Sequence, residues 1–217
     1  MVDAESTVLL TVECQRGVVG PESALPELAA VARSSGVLHR VARLVDGAHR
    51  AGIQVVHAVA ERRPDGLGTG RNAPLLRAAE RLPVQQLAGS HAVRVADPVP
   101  VDASDLVVRR LHGLSPLAGT GLDAVLRNLG CRTLIVTGVS ANVAVPNTVF
   151  DAVNLGYAAV VPADAIAGVP ADYTAAVLRH TLAAVATLTT TDELLRAWHR
   201  PRRPRRRPGG GDEDRDR

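Results

Sequence analysis

Short apolar runs rich in valine, isoleucine and leucine alternate along the chain with stretches whose apolar residues recur at helical spacing. This alternation is typical of a parallel sheet covered by helices on both faces. Six runs are predicted as strands: Thr7 to Val12, Ile53 to Ala58, Leu106 to Arg109, Thr133 to Thr137, Ala158 to Val161 and Ala186 to Thr189. The pattern predicts a single α/β domain over residues 1–199, with one open, mostly parallel, Rossmann-like sheet of about six strands.

Helical faces lie between these strands. One face is shared by Leu38, Val41, Val45 and Ala48, and another runs from Leu122 to Leu129 and ends at Gly130. Two more helices are predicted, from about Val145 to Gly156 and from Tyr173 to Ala184. The segment from Glu61 to Asp105 has few such signals besides Ala73 to Leu82, and we expect it to cross the active edge of the sheet as a lid.

The composition is that of an ordinary globular protein, with 217 residues, 46% of them hydrophobic and 22% charged. No apolar run approaches the roughly 20 residues of a membrane-spanning helix, so no membrane partner is predicted. The opening residues carry Asp3 and Glu5 and no basic region, which predicts a cytoplasmic protein. In that compartment Cys14 and Cys131 are expected to be free thiols.

The net charge of +3 comes from the end of the chain. Residues 200–217 hold eight arginines and four acidic residues, a net +4, which leaves −1 for the rest. This arginine- and proline-rich tail is predicted to be disordered. Aromatic residues are only 2% of the chain, so the stacking surfaces of nucleic-acid binders are missing and no nucleic-acid partner is predicted. Association through the tail stays open as a third, weaker hypothesis.

Polar residues follow three of the predicted strands, at the edge where α/β sheets carry their chemistry. Glu13 closes an apolar run, and burial there favours acid or base chemistry. Arg109 and Arg110 follow another strand, and alternation places only one of them toward a site. His112 titrates in the useful range, although a single loop histidine is more often a surface residue. Each of these residues also has an ordinary structural interpretation as a solvated group.

The turn from Gly138 to Asn142 leads into a helix, where backbone N–H groups receive an oxyanion or a carboxylate. No histidine pair has metal-ligand spacing, and His57 stands alone in its strand, so no metal is predicted. Neither a phosphate-binding glycine loop nor a dinucleotide fingerprint follows the first strand, so no cofactor is predicted.

These motifs together resemble the isochorismatase-like hydrolase superfamily, which includes isochorismatases, nicotinamidases and related cysteine hydrolases. The resemblance covers about Thr7 to Trp198. The run VLLTVECQ ending at Gln15 is similar to the opening strand of the family, which ends in Asp-x-Gln. SPLAGT at Ser115 to Thr120 is similar to the Ser-x-Phe-x-Gly-Thr segment of the family, and TLIVTGV at Thr133 to Val139 matches a further strand.

The thiol hydrolases of that family use an Asp, a Lys and a Cys, and this sequence departs at all three positions. Glu13 stands at the Asp position, Arg109 or Arg110 near the Lys position, and Ala144 where the Cys is expected. Isochorismatases also lack the cysteine and cleave a vinyl ether by protonation, so the resemblance does not imply an inactive protein.

The resemblance implies a hydrolase that acts on a small polar, carboxylated metabolite without a thioester. Glu13 is predicted as the general acid or base, and Arg110, or alternatively Arg109, as an electrostatic clamp. The predicted substrate-binding residues are Gln15, Arg109, His112, Ser140, Asn142, Val143 and Ala144. A homo-oligomer, dimer or tetramer, is expected. The alternative is an inactive family member that binds a metabolite or a protein partner.

Overall fold

The computed structural model describes residues 3–199 and contains one parallel sheet of seven strands. The strands are β1 (Thr7–Val12), β2 (Gln54–Ala60), β3 (Leu106–Arg110), β4 (Thr133–Val139), β5 (Ala158–Pro162), β6 (Ile166–Ala167) and β7 (Thr187–Thr189). Their order is β3-β2-β1-β4-β5-β7, and β6 pairs with β4. The predicted fold class is confirmed. The predicted disordered tail, residues 200–217, lies outside the described residues.

Eight α-helices occur in the described part of the chain. They are α1 (Arg16–Val19), α2 (Pro26–Ser35), α3 (Val37–Ala51), α4 (Pro74–Ala79), α5 (Leu122–Asn128), α6 (Ala144–Asn154), α7 (Ala171–His180) and α8 (Thr191–Trp198). Four 3-10 turns complete the elements, at Ala4–Ser6, His91–Val93, Ala163–Ala165 and Leu182–Ala184. Within residues 3–199, no helix combines the length and apolar character needed to cross a membrane.

Two apolar cores cover the two faces of the sheet. Strand β1 is buried along its whole length, and its alternating side chains divide between the cores: Leu10 packs in one and Leu9 in the other. The core around Leu10 includes residues of α5, α6 and α7, and the core around Leu9 includes residues of α2, α3 and α8. This three-layer packing explains why the strands are continuous apolar runs.

The strand register brings several chain segments to one edge of the sheet. Val12 pairs with Ala58 of β2 and with Gly138 of β4, and Ala60 pairs with Arg110 of β3. Because the strands are parallel, the residues that follow them meet at this carboxyl edge. Residues 61–105, which connect β2 to β3, supply α4 to the same region.

Candidate active site

Glu13 takes an unusual backbone conformation at the end of β1. Its φ angle is 50°, and no other residue except glycine has a positive φ in the described chain. Its N–H donates to the carbonyl oxygen of Ala58 at 2.8 Å, which anchors the turn to β2. A strained backbone at a polar residue is a feature that clusters at functional sites.

Arg110 pairs with Glu13 across the end of β2. Its Nη2 donates to Oε1 of Glu13, and the two side chains are only 9% and 18% exposed. Arg109 points to the other side, as strand alternation requires. Its Nε lies 3.4 Å from Oε2 of Glu61, and its side chain is 55% exposed. The structure therefore does not bring Arg109 into the site with Glu13, although the sequence analysis included it among the substrate-binding residues.

Gln15 lies fully buried behind the site rather than on its surface. Its Nε2 donates to the carbonyl oxygen of Ala60 at 2.8 Å and to Oε1 of Gln86 at 2.7 Å. Its Oε1 accepts from the N–H of Ala60 at 2.8 Å. Gln15 thus holds the end of β2 against the segment that carries Gln86, which lines the cavity.

A cavity of about 600 Å³ lies above the Glu13–Arg110 pair. Five other predicted site residues also line this cavity: His112, Ser140, Asn142, Val143 and Ala144. Arg109 does not line it. His112 is exposed. With Glu13 and Arg110, the sequence therefore predicts five of the ten polar residues that line the cavity.

In the turn before α6, some of the backbone N–H groups already donate hydrogen bonds within the protein. The N–H of Ala141 donates to Ala167 at 2.8 Å, and that of Val143 donates to Ser140 at 3.3 Å. The amide of Asn142 is engaged by the backbone of Val169. The turn that was predicted to receive an anion therefore offers fewer free N–H groups than expected. The first residue of α6, Ala144, has no side-chain cap before it, and its N–H begins the helix at the cavity wall.

Neither cysteine lines the cavity. Cys14 is buried below Glu13, and burial, with the neighbouring Glu13 charge, raises the pKa of its thiol to about 12. Cys131 precedes β4, at the opposite edge of the sheet, and burial raises its pKa to about 11. Since the thiolate is the nucleophilic form, both groups are poor nucleophiles near neutral pH.

The segment from Glu61 to Asp105 was predicted to cross the active edge, but none of its residues was predicted to line the site. Glu61 and Arg62 follow β2 and line the cavity, and the rule that selected Glu13 after β1 selects them too. No sequence rule of this kind predicts which apolar residues line the cavity. They include Leu25, Leu28, Leu75, Leu76, Leu82 and Val84.

No metal-binding group is evident in the described chain. Within residues 3–199, no cluster of three or more histidine, cysteine or acidic side chains is placed to hold a metal ion.

Comparison with known proteins assigns this chain to one family. The family model of the isochorismatase domain matches residues 7–193. Ureidoacrylate amidohydrolase RutB of Methylorubrum extorquens (strain DSM 6343) is 33% identical over 184 residues, which cover 78% of this chain and 73% of that protein.

Solved structures show the same fold. A cysteine hydrolase from Pseudomonas syringae pv. phaseolicola 1448A superposes with a TM-score of 0.80 at 25% identity, covering 91% of this chain and 94% of that one. An isochorismatase family protein from Desulfovibrio vulgaris superposes with a TM-score of 0.77 at 22% identity, covering 90% and 99%.

Proposed function

The chain belongs to the isochorismatase family of hydrolases, and from that premise we propose that it cleaves a C–N bond of an amide or ureide without a thiol nucleophile. Glu13 is the general base in this proposal, and water is the nucleophile. The observation that carries it is the Glu13–Arg110 pair, which faces a cavity that neither cysteine lines. The amidohydrolase among the relatives supports the choice of a C–N bond.

The reaction follows from the groups around the cavity. The Glu13 carboxylate takes a proton from water while the water oxygen bonds to the carbonyl carbon of the substrate. In this proposal the N–H of Ala144, at the start of α6, stabilises the oxyanion that forms. Glu13 then returns its proton to the nitrogen and the C–N bond breaks. An amide gives a carboxylic acid, a ureide gives a carbamic acid, and ammonia or an amine leaves. Arg110 orients the Glu13 carboxylate for the first step.

The charges around the cavity favour an uncharged substrate. Three glutamates (Glu13, Glu27 and Glu61) and two arginines (Arg62 and Arg110) line it. Both arginines are engaged by carboxylates, Arg110 by Glu13 and Arg62 by Glu80 at 3.3 Å. A carboxylated substrate would therefore compete with existing ion pairs, so we replace the carboxylated metabolite expected from the sequence with a neutral amide or ureide.

The test is ammonia release from a panel of primary amides and ureides by the wild type and by Glu13→Gln. Glutamine keeps the shape of the side chain but cannot exchange a proton, so turnover should fall ~10²- to 10⁴-fold while binding persists. Glu22→Gln makes the same change at an exposed position and serves as the control. Equal turnover in the wild type and Glu13→Gln would remove Glu13 from the mechanism.

The second candidate is an inactive family member that binds a metabolite or a protein. The observation that favours it is Ala144, which stands where the resemblance places the nucleophile and has no reactive side chain. This function predicts no turnover of any substrate by the wild type, together with ligand affinity that Glu13→Gln changes only slightly.

We also propose that the chain forms a homo-oligomer. The observation in support is a set of exposed apolar side chains at the end of α6 and just beyond it: Phe150, Val153 and Leu155. Light scattering coupled to size exclusion measures the mass of the particle. Phe150→Asp should reduce that mass if this surface is the interface.

A further inference from the structure

The lining of the cavity combines a polar pair with aliphatic side chains. The polar pair is Glu13 and Arg110 at the sheet edge. Six aliphatic side chains also line the cavity: Leu25 and Leu28 from α2 and its cap, and Leu75, Leu76, Leu82 and Val84 from α4 and the segment after it. A ligand that fills the cavity therefore meets both polar groups and hydrocarbon.

The apolar residues of α4 have no structural role in either core. Neither core contains a residue between 60 and 92, and no residue of α4 is buried. Leu75 is 52% exposed although it lines the cavity. Leucines that lie outside the core and line a cavity are removed from water when an apolar ligand group covers them, which stabilises the complex.

The size of the cavity also favours a ligand with an apolar part. Its volume of about 600 Å³ corresponds to the liquid volume of about 20 water molecules. An amide or ureide head group that contacts Glu13 fills only a small part of this space. The six aliphatic side chains contribute to the lining of the remaining volume, which therefore suits a hydrocarbon chain better than a second polar group.

We infer that the substrate is amphipathic: a neutral amide or ureide head group that carries an aliphatic chain of several carbons, which lies against the α4 wall. The head-group chemistry rests on the proposed function, whereas the preference for an aliphatic chain rests on the walls alone. The chain contributes to affinity through burial, because each methylene removed from water strengthens binding about fourfold.

The experiment uses the straight-chain primary amides from acetamide to octanamide. Their dissociation constants are measured by calorimetry with wild type and with Glu13→Gln, and wild-type turnover is followed by ammonia release. We expect affinity to rise about threefold to fourfold per added methylene, up to the length that fills the cavity. The double variant Leu75→Asn, Leu76→Asn should lower this increment to less than twofold per methylene.

Leu67→Asn is the matched control. Leu67 lies in the same connecting segment and is 66% exposed, but it does not line the cavity, so this variant should keep the wild-type increment. Affinity that rises with chain length without ammonia release supports the amphipathic ligand and contradicts the proposed hydrolysis. Affinity that does not rise with chain length, including the absence of any binding, overturns the inference even if short amides are hydrolysed.

Discussion

Glu13 and Arg110 reach each other across an intervening strand. Glu13 follows β1 and Arg110 ends β3, while β2 lies between them in the sheet. The pair forms because the Arg110 side chain is long enough to span one strand at the carboxyl edge and Glu13 turns toward it. A carboxylate held in this way is fixed in position, which is what a general base needs.

Arg110→Lys should lower kcat more than any change at the neighbouring arginine. Lysine keeps the charge but loses the planar fork that contacts Glu13. Loss of a hydrogen bond to a charged group predicts a decrease of ~10- to 100-fold. Steady-state ammonia release with a hydrolysed amide measures the effect.

Arg109→Lys is the matched control for that prediction. Its guanidinium is more than half exposed and lies beside Glu61 rather than Glu13. Exposed ion pairs contribute little, so turnover should stay within about twofold of the wild type. A larger loss at Arg109 than at Arg110 would show that the wrong arginine has been assigned to the site.

Catalysis should not depend on either thiol. Cys14→Ser and Cys131→Ser are expected to keep turnover within a few-fold once the fraction of folded protein is taken into account. The reason is that both thiols have pKa values well above neutral, about 12 and about 11, and neither lines the cavity. Inactivation by iodoacetamide that substrate prevents would contradict this and identify a thiol enzyme.

The sequence predicted the parts of the fold that are periodic and continuous. Strand β1 was predicted to the residue, because a six-residue run of valine, leucine and threonine ends at a charged residue. Strand β6 was missed because two residues are too short to show a period. Helix α2 was also missed, since its apolar side rests largely on alanines that carry little periodic signal.

The site was predictable where it depends on strand ends and not where it depends on tertiary placement. Glu13 and Arg110 follow from the rule that chemistry lies beyond the carboxyl ends of strands. The choice between Arg109 and Arg110 needs the register of β3, which the sequence pattern left open by one residue. The walls around Leu75 depend on where the segment 61–105 crosses the sheet, and no local period encodes that path.

Gln15→Leu should destabilise the protein and weaken substrate binding together. Leucine has a similar volume but leaves the N–H and the carbonyl oxygen of Ala60 without their partner inside the protein. Each unsatisfied buried group costs about 1 to 3 kcal/mol. Urea unfolding measures the free energy of unfolding. KM measures the effect on substrate binding, because Gln86, which Gln15 contacts, lines the cavity. Gln54→Leu removes a partly buried amide and should lower the free energy of unfolding less than Gln15→Leu does. A larger loss in Gln54→Leu would contradict the structural role of Gln15.

A buried histidine predicts how stability depends on pH. His57 is fully buried, with Nδ1 2.8 Å from Oγ1 of Thr11 and Nε2 3.3 Å from Oδ2 of Asp105. His49 contacts the other oxygen of the same carboxylate at 2.7 Å. Burial lowers the pKa of His57 below its ordinary value, although the hydrogen bond to Asp105 opposes this shift. The native state therefore keeps His57 neutral at pH values where an exposed histidine is protonated.

The free energy of unfolding should fall as pH decreases below about 6.5, because the unfolded chain then binds a proton at His57 that the native state does not. The loss continues until the pH reaches the native pKa of His57, with a slope of at most about 1.4 kcal/mol per pH unit for this one group. Urea unfolding between pH 7.5 and 5, for the wild type and for His57→Gln, measures that slope. The variant should lose this contribution, so its slope should be smaller than that of the wild type. His39→Gln removes an exposed histidine from α3 and is the matched control. If the slope decreased in His39→Gln and persisted in His57→Gln, the buried histidine would not be the source of the pH dependence.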